Sequence, residues 1–307
     1  MPAHEKIHLK FRENTMLSYI EPVFRPPSEA RSLILQVTNG CSWNNCTFCE
    51  MYTQEQKKFK AKKEDDVLQD IKDAAKHGLP YRKVFLADGD AMVLPTRRLI
   101  KVLEQIKEHL PSVQKVTSYC LPRNIKKKTV EELAQLKALG LDMLYVGCES
   151  GDDQVLSAVN KGETYESQKE ALVKIKASGI KSSVMILNGL GGPKYSEQHA
   201  LNSAKLMNEC QPEFLSTLVV SFPLGDERLK SGFEGDWSLM DQTGLFLELK
   251  HFISNLELSN TVFRSDHASN YLPLKGTLGA DKHAMLKQID QALYQPGSIP
   301  LRQEWQR

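Results

Sequence analysis

Long apolar runs and an excess of charge of one sign are both missing from this sequence. No stretch approaches the roughly 18 apolar residues that cross a bilayer, and residues 1–10 are too polar for the core of a secretion signal. Forty basic residues face 38 acidic ones, a net charge of +2, and so small an excess argues against a nucleic-acid or membrane-surface partner. We therefore expect a soluble, cytoplasmic protein.

Cysteine is also scarce, with six residues in a chain of 307, which excludes a secreted disulfide scaffold. Three of the six are nevertheless clustered, at positions 41, 46 and 49. The others, Cys120, Cys148 and Cys210, are expected to be small buried side chains, because free cysteine is commonly found in the interior.

Six short β-branched or apolar runs alternate with amphipathic helical patterns. The runs lie at 33–37, 84–87, 116–119, 143–146, 184–187 and 215–220. Repeated strand–helix alternation predicts parallel strands joined by right-handed crossovers. Because candidate functional residues follow five different strands, the rim of a barrel fits better than a doubly wound sheet. The predicted fold is α/β, a partial (β/α)6 TIM-like barrel with a C-terminal helical and loop cap.

Three regions of the chain are distinguished by these patterns. Residues 1–30 are predicted to be an extended lead-in, because they lack periodicity and contain several prolines. Residues 31–225 form the barrel core. Residues 226–307 are predicted to cap the same domain, with helices near 239–256 and 281–294 and an extended piece at 261–264.

The cysteine cluster lies on a loop that follows the first predicted strand. Three thiolates leave a fourth ligand position open, whereas structural zinc normally takes four protein ligands. Cys148 or His267 would have to complete such a zinc site. A [4Fe–4S] cluster held by three cysteines instead keeps one iron free for a ligand. The cluster is the favoured interpretation, with structural zinc and unligated thiols as alternatives.

The loop resembles that of the radical SAM superfamily, in which a CxxxCxxC motif after the first barrel strand binds a [4Fe–4S] cluster. Here the spacing is Cx4CxxC. The resemblance implies that Cys41, Cys46 and Cys49 bind the cluster and that S-adenosylmethionine (SAM) chelates its unique iron. Phe48 occupies the aromatic position that usually precedes the last cysteine.

Three further segments share this resemblance. Residues 145–153, followed by Asn160-Lys161-Gly162, are similar to the fourth-strand segment of oxygen-independent coproporphyrinogen oxidases and methylthiotransferases. The resemblance implies that Glu149 and Ser150 in this segment bind SAM. It also implies SAM binding by Asp88, Gly89 and Asp90, which stand where the family has a glycine-rich segment after the second strand. Asn188, Gly189 and Gly191 are implied to bind SAM beside its adenine. The alternative interpretations are a helix cap for the first group and tight turns for the other two.

Substrate contacts are hypothesised for polar residues at two further strand ends. These are Arg123 and Asn124 after the third strand, and Arg264, His267 and Asn270 in a polar loop after the extended piece. A surface turn and loop-stabilising hydrogen bonds are the respective alternatives. The lysine-rich run 57–63 is interpreted as a solvated face, with docking of an acidic electron donor such as flavodoxin or ferredoxin as a second use.

The resemblance implies an enzyme that cleaves SAM reductively to a 5′-deoxyadenosyl radical, which abstracts hydrogen from an unidentified substrate. The alternative from another class is a non-catalytic Fe–S or zinc protein that senses redox state or carries electrons. A barrel enzyme with a different nucleotide and structural zinc is a third interpretation. Metal and acid-labile sulfide analysis distinguishes the zinc proteins from the cluster proteins.

Overall fold

The computed structural model describes residues 17–302. Its strands are β1 (Leu33–Gln36), β2 (Thr38–Asn39), β3 (Lys60–Ala61), β4 (Lys83–Ala87), β5 (Lys115–Cys120), β6 (Leu141–Glu149), β7 (Lys181–Asn188), β8 (Phe214–Val219), β9 (Val262–Ser265) and β10 (Leu274–Thr277). Its α-helices are α1 (Glu64–Lys76), α2 (Thr96–His109), α3 (Pro122–Lys126), α4 (Val130–Ala138), α5 (Asp153–Ala158), α6 (Tyr165–Ala177), α7 (Gly192–Cys210), α8 (Glu227–Gly232), α9 (Gln242–Ser254) and α10 (Lys282–Tyr294). Within this part of the chain, no helix combines the length and the apolarity needed to cross a membrane.

The main sheet has eight strands in the order β1-β4-β5-β6-β7-β8-β9-β10. All neighbouring pairs from β1 to β9 are parallel, and β10 pairs antiparallel with β9. Among the described residues the sheet does not close, since β1 and β10 remain its two edges. The predicted α/β partial barrel is confirmed, and the parallel strands end at one common edge, called here the carboxyl edge.

The sheet has two different faces, which β7 illustrates. Val184 and Ile186 are buried against the helices, whereas Ser183 and Met185 are half-buried on the opposite side. This period of two places alternate side chains on opposite faces of a strand. We call the face away from the helices the inner face.

Helix termini are capped by residues that lie next to them in the sequence. Thr129 accepts a hydrogen bond from the backbone of Glu132, whose side chain in turn accepts one from the Thr129 backbone, forming a capping box. Gly140 and Gly179 follow α4 and α6 with positive φ values of 111° and 78°, which glycine adopts readily.

The C-terminal region departs from the prediction, because it extends the sheet as well as packing on the barrel. The predicted extended piece is β9, and β10 adds a further strand beside it. Phe263 joins the main core, which anchors this four-residue strand. A run this short, followed by a second one, carries too little periodicity for the sequence to reveal its pairing. The domain boundary near residue 225 stays a prediction.

The described part of the lead-in lies along the edge strand β1. Tyr19 donates a hydrogen bond to the backbone oxygen of Ile34 at 2.7 Å, and the Ile20 amide donates to Gln36 Oε1 at 2.9 Å. Residues 1–16 of the predicted lead-in and residues 303–307 of the predicted cap lie outside the described residues.

Candidate active site

The cysteine loop emerges from a small two-stranded sheet at the carboxyl edge. β2 and β3 pair antiparallel and bring the two ends of the loop together. The Asn39 side chain donates to the backbone oxygens of Gln56 at 2.7 Å and Lys58 at 2.9 Å. Gly40 has φ +68°, and a Cβ there would lie 2.0 Å from the Lys57 oxygen, so only glycine fits this turn. The loop is therefore fixed at its base by backbone contacts.

Cys41, Cys46 and Cys49 all carry free thiols. Burial raises the pKa of each thiol, for Cys46 to about 12. For Cys46, the positive charge of Lys161 opposes this effect, while negative charge on either of the other two thiols reinforces it. The three thiols share one loop, and a cationic cluster would stabilise their thiolate forms.

The described residues contain no group of three His, Cys, Asp or Glu side chains that converges on a single metal ion. Cys148 is buried in the main core, and His267 Nδ1 instead contacts Ser269 Oγ at 2.9 Å. The predicted fourth ligands of a zinc site are therefore placed elsewhere. Three free thiols on one loop fit the cluster that the sequence favours.

A tryptophan and an arginine hold the cysteine loop from the side. The Arg123 guanidinium lies 3.8 Å from the centre of the Trp43 ring, and its Nε donates to Glu163 Oε1 at 3.0 Å. Trp43 Nε1 donates to the Asn160 oxygen at 2.8 Å. Arg123 is thus occupied in fixing the loop, and its contact with a substrate stays a prediction.

Asp88 and Tyr52 form a buried network with Lys57 under the loop. Both Asp88 and Lys57 are fully buried and form an ion pair, and the Tyr52 hydroxyl donates to Asp88 Oδ1 at 2.9 Å. Burial raises the pKa of Asp88, and Lys57 opposes that shift. Gly89 packs against Tyr52, since a Cβ there would lie 2.6 Å from the ring. The Asp88 carboxylate therefore ties the end of β4 to the cysteine loop.

Asp90 forms a second buried network. It accepts a hydrogen bond from Ser42 and bonds from Asn124 Nδ2 to both carboxylate oxygens, at 2.8 Å and 2.7 Å. Burial raises the pKa of Asp90 to about 6, against the hydrogen bonds from Ser42 and Asn124. Asn124 is buried and its amide nitrogen bonds to Asp90, and its contact with a substrate stays a prediction.

The interpretation of run 57–63 as a solvated face is wrong for two of its lysines. Lys57 is fully buried, and Lys62 pairs with the nearly buried Asp70. Lys57 pairs with an aspartate that is distant in the sequence, and Lys62 pairs with one in the helix that follows. A count of charges along the sequence cannot reveal such pairing. Lys58, Lys60 and Lys63 are exposed.

Glu149 and Lys161 form a buried ion pair beside the cysteines. Lys161 Nζ lies 3.1 Å from Glu149 Oε1, and the two side chains are 4% and 10% exposed. Burial lowers the pKa of Lys161, but the charges of Glu149 and Cys46 outweigh it and raise the pKa overall. Lys161 Nζ also lies 5.8 Å from the centre of the Phe48 ring.

The backbone of Glu149 is left-handed, with φ 66°, where β6 shifts its register against β7. Such a conformation costs a non-glycine residue roughly 1–3 kcal/mol and often marks a functional site. Gly147 leaves space for the pair, since a Cβ there would lie 2.2 Å from Glu149 Oε1. The strand end is therefore shaped around this carboxylate.

Ser150 and His199 lie behind that pair. Ser150 Oγ is 2.7 Å from His199 Nδ1, and His199 Nε2 is 3.0 Å from the Leu187 oxygen. Because only a protonated Nε2 can bond to a carbonyl, Nδ1 accepts from the Ser150 hydroxyl when the ring is neutral. Ser150 is fully buried, so its direct contact with SAM stays a prediction.

The predicted adenine segment is held from behind by α9. The Gly189 amide donates to Glu248 Oε1 at 2.6 Å, and Asn188 Nδ2 donates to the Leu245 oxygen at 3.2 Å. Glu248 is buried, and burial raises its pKa against the opposing charge of His199. Gly191 directly precedes α7 and is packed beside Tyr195.

The polar loop after β9 lies at the same edge of the sheet. Asn270 is buried, with Oδ1 accepting from the Val219 amide at 2.9 Å and Nδ2 donating to the Thr217 oxygen at 2.9 Å. This supports the alternative of loop stabilisation for Asn270. Arg264 and His267 are exposed, and their contact with a substrate stays a prediction.

Sequence reasoning missed several residues of this site. Lys161 lies in a segment that the sequence already singled out, and its charge was a usable signal. Glu248 and Arg228 had none, because each reaches the site from a helix that is distant in the sequence. Arg228 donates to the backbone oxygens of Cys46 at 3.2 Å and Cys49 at 3.4 Å.

Residues 35–207 match the family model of the radical SAM superfamily, more than half of the chain. This chain belongs to the radical SAM superfamily. Radical SAM proteins bind a [4Fe–4S] cluster and SAM, the two cofactors that the sequence predicts, and this radical SAM chain is an enzyme.

Two curated relatives share part of the radical SAM sequence. A 4′-phospho-dehydrooxetanocin synthase of Priestia megaterium is 27% identical over 164 residues, covering 48% of this chain and 22% of the relative. A tRNA-2-methylthio-N(6)-dimethylallyladenosine synthase of Bordetella avium (strain 197N) is 26% identical over 196 residues, covering 59% and 39%. The chain therefore spans less than half the length of either relative.

Among solved structures, the radical SAM enzyme coproporphyrinogen III oxidase from Escherichia coli is similar in fold. It superimposes with a TM-score of 0.54 at 18% identity, covering 73% of this chain and 51% of the oxidase. At this identity the comparison establishes the shared radical SAM fold alone.

Proposed function

We propose that this radical SAM enzyme binds its [4Fe–4S] cluster through Cys41, Cys46 and Cys49 and converts SAM to a 5′-deoxyadenosyl radical that abstracts hydrogen from a substrate. One observation carries the proposal. Three free thiols lie on one fixed loop, beside a buried Glu149–Lys161 pair whose carboxylate sits on a strained backbone. When bound, the reduced cluster supplies an electron that breaks the sulfonium bond of SAM, leaving methionine and the radical.

The protein contributes charge and position. Burial raises the pKa of Cys46, and the Lys161 ammonium opposes that shift, which favours the thiolate form. The same ammonium and the Glu149 carboxylate offer one cation and one anion, which match the carboxylate and ammonium groups of an amino acid such as the methionine part of SAM. Phe48 covers this pair from the side of the cysteine loop.

The end of β7 is the proposed adenosine-binding segment. Backbone at Gly189 can approach a ligand closely because the residue has φ 85° and no side chain. Glu248 and Leu245 fix that backbone from behind through the bonds described above. Ser150 acts through His199 on the same segment, as a positioning residue.

An electron donor such as flavodoxin or ferredoxin is proposed as the reductant, because radical SAM enzymes need one. The exposed Lys58, Lys60 and Lys63 next to the cysteine loop, together with Arg228, favour an acidic surface on that donor. All six cysteines are free, which suits a reducing compartment, so a cytoplasmic location is part of the proposal.

The test is anaerobic reconstitution with iron and sulfide, followed by dithionite and SAM, with 5′-deoxyadenosine measured by chromatography. Cys41/Cys46/Cys49→Ala should lose both bound iron and 5′-deoxyadenosine. Cys210→Ala is the matched control, because Cys210 is a free thiol in the core away from the loop.

Two other outcomes would reject the proposal. Zinc without acid-labile sulfide would leave a structural zinc site. A cluster that never cleaves SAM, with or without candidate substrates, would leave a redox sensor or electron carrier.

Lys161 provides a finer test of the site. Lys161→Ala should weaken SAM binding about tenfold or more, because it removes a charged partner, whereas Lys161→Arg should retain most of it. The measurement is SAM affinity by equilibrium dialysis of the reconstituted protein. Equal affinity of all three proteins would remove Lys161 from the proposed site.

A further inference from the structure

One row of side chains crosses the inner face from the cofactor residues to the far edge of the sheet. Strand register aligns Gly147, Met185, Ser216, Arg264 and Lys275 on β6 to β10. Residues paired across neighbouring strands point to the same face. The first three are half-buried and the last two are exposed, so this row is open to solvent.

The row begins at the proposed SAM site. A Cβ on Gly147 would lie 2.2 Å from Glu149 Oε1 and 3.5 Å from Lys161 Nζ. Neighbouring strands are about 4.8 Å apart, so Arg264, three strands away, lies at most about 14 Å from Gly147 across the sheet. A small molecule can reach from one end of the row to the other.

The far end of the row places two positive charges together. Arg264 and Lys275 are directly opposite each other in the antiparallel β9–β10 pair. Like charges in this arrangement are destabilising unless something compensates them. Within residues 17–302, neither side chain forms an ion pair with a carboxylate, and one Arg264 guanidinium nitrogen donates only to the Phe263 oxygen at 3.1 Å.

A second basic pair in the same sheet shows the contrast. Lys83 and Lys115 are register neighbours at the amino edge, and Asp142 lies 3.8 Å from Lys115 Nζ. There the protein supplies its own carboxylate. At Arg264 and Lys275 an anion from elsewhere would fill that role.

We propose that Arg264 and Lys275 bind a phosphate group of the substrate, whose reacting end points along the row toward Gly147. A guanidinium presents paired donors to two phosphate oxygens, and an ammonium adds a point charge for the second negative charge. The predicted substrate class is a small phosphorylated molecule. This inference rests on the proposed function, because that function places the reacting end of the row at the SAM site.

The test uses the reconstituted holoprotein and inorganic phosphate as the probe. Isothermal titration calorimetry at constant ionic strength should show saturable binding. Arg264→Gln and Lys275→Gln should each weaken it about tenfold, the effect of losing one charged hydrogen-bond partner. Lys83→Gln is the matched control, since it removes an exposed strand lysine at the opposite edge and should leave phosphate affinity unchanged.

Several results would overturn the inference. These are no saturable phosphate binding, equal weakening by all three substitutions, or tighter binding of succinate than of phosphate, which would assign the site to carboxylates. SAM cleavage by the same preparation is measured separately. Cleavage without phosphate binding would reject this site alone. Variant-dependent phosphate binding without cleavage, in the presence or absence of candidate substrates, would reject the proposed function and leave an anion site.

Discussion

The charged side chains on the two sides of the sheet differ in whether they have partners within the protein. On the cofactor side, β1 and β4–β7, the carboxylates near the cysteine loop have partners: Asp88 with Lys57, Asp90 with Asn124, and Glu149 with Lys161. On the far side, β8–β10, Arg264 and Lys275 are exposed and have no carboxylate partner among the described residues. Paired charges keep a fixed arrangement around a bound cofactor, whereas unpaired ones remain available to a ligand that neutralises them.

The largest effect should come from breaking the most deeply buried pair on the cofactor side. Lys57→Met should lower the free energy of unfolding by about 3–5 kcal/mol, because it leaves the Asp88 carboxylate buried without a counter-charge. Urea denaturation of the holoprotein measures the change.

Lys58→Met is the matched control for that substitution. Its partner Glu55 is 3.9 Å away and both side chains are highly exposed, so less than about 1 kcal/mol should be lost. Adding Asp88→Asn to Lys57→Met should restore much of the stability. Similar losses for Lys57 and Lys58 would show that the cofactor side is not held by buried charge.

On the far side, the largest loss should come from Asn270. Asn270→Ala leaves the Val219 amide and the Thr217 oxygen without partners in the interior, which should cost about 2–3 kcal/mol. Asn208→Ala is the comparison, since Asn208 accepts from the Glu257 amide and donates to the Asn255 oxygen near the surface. Thermal denaturation should show a clearly smaller loss for Asn208, because water can replace its partners.

Glu248 on α9 bonds to Gly189 at the end of β7, and its contribution to the free energy of unfolding should depend on pH. Burial raises its pKa above 4.5 in the folded protein, so the stability it contributes is greatest below pH 4.5 and is lost as pH rises through the folded pKa. The unfolding free energy of wild type relative to Glu248→Gln should fall with rising pH, by at most about 1.4 kcal/mol per pH unit. Urea denaturation across this range checks it. A difference that is independent of pH would contradict the raised pKa.

The smallest effect on stability should come from removing one of the two exposed charges, Arg264 and Lys275. Arg264→Gln should leave stability unchanged or raise it by about 0.5 kcal/mol, because it relieves repulsion with Lys275. Differential scanning calorimetry in phosphate-free buffer measures it. A loss of more than about 1 kcal/mol would mean that Arg264 has a structural role, and the contrast between the two sides would disappear.

Local signals account for most of what could be predicted about the fold. Six strands and the capping box at Thr129 follow from side-chain periodicity and cap chemistry, both of which act over a few residues. The pairing of β9 with β8 could not be predicted, because it joins segments 48 residues apart, as in Phe214 with Val262. A four-residue strand is too short for its sequence to indicate which strand it pairs with.

The site divides in the same way. Cys41, Cys46 and Cys49 are recognisable because three ligands lie on one short loop, and Glu149 because a carboxylate ends a buried strand. The sequence does not distinguish Asn124 and Asn270 from residues that contact a substrate. In the structure, their amides hydrogen-bond to groups of the protein. Whether a polar side chain faces a ligand or a neighbouring strand depends on contacts between distant segments.

The sequence by itself determined the parallel α/β order, the cysteine loop and the family, since each depends on spacing along the chain. Only the tertiary structure decided that Lys57 is buried against Asp88, that α9 brings Glu248 to Gly189, and that Arg264 stands opposite Lys275. The physical reason is that burial and charge pairing depend on distances through space. Packing sets those distances between residues that are remote in the chain.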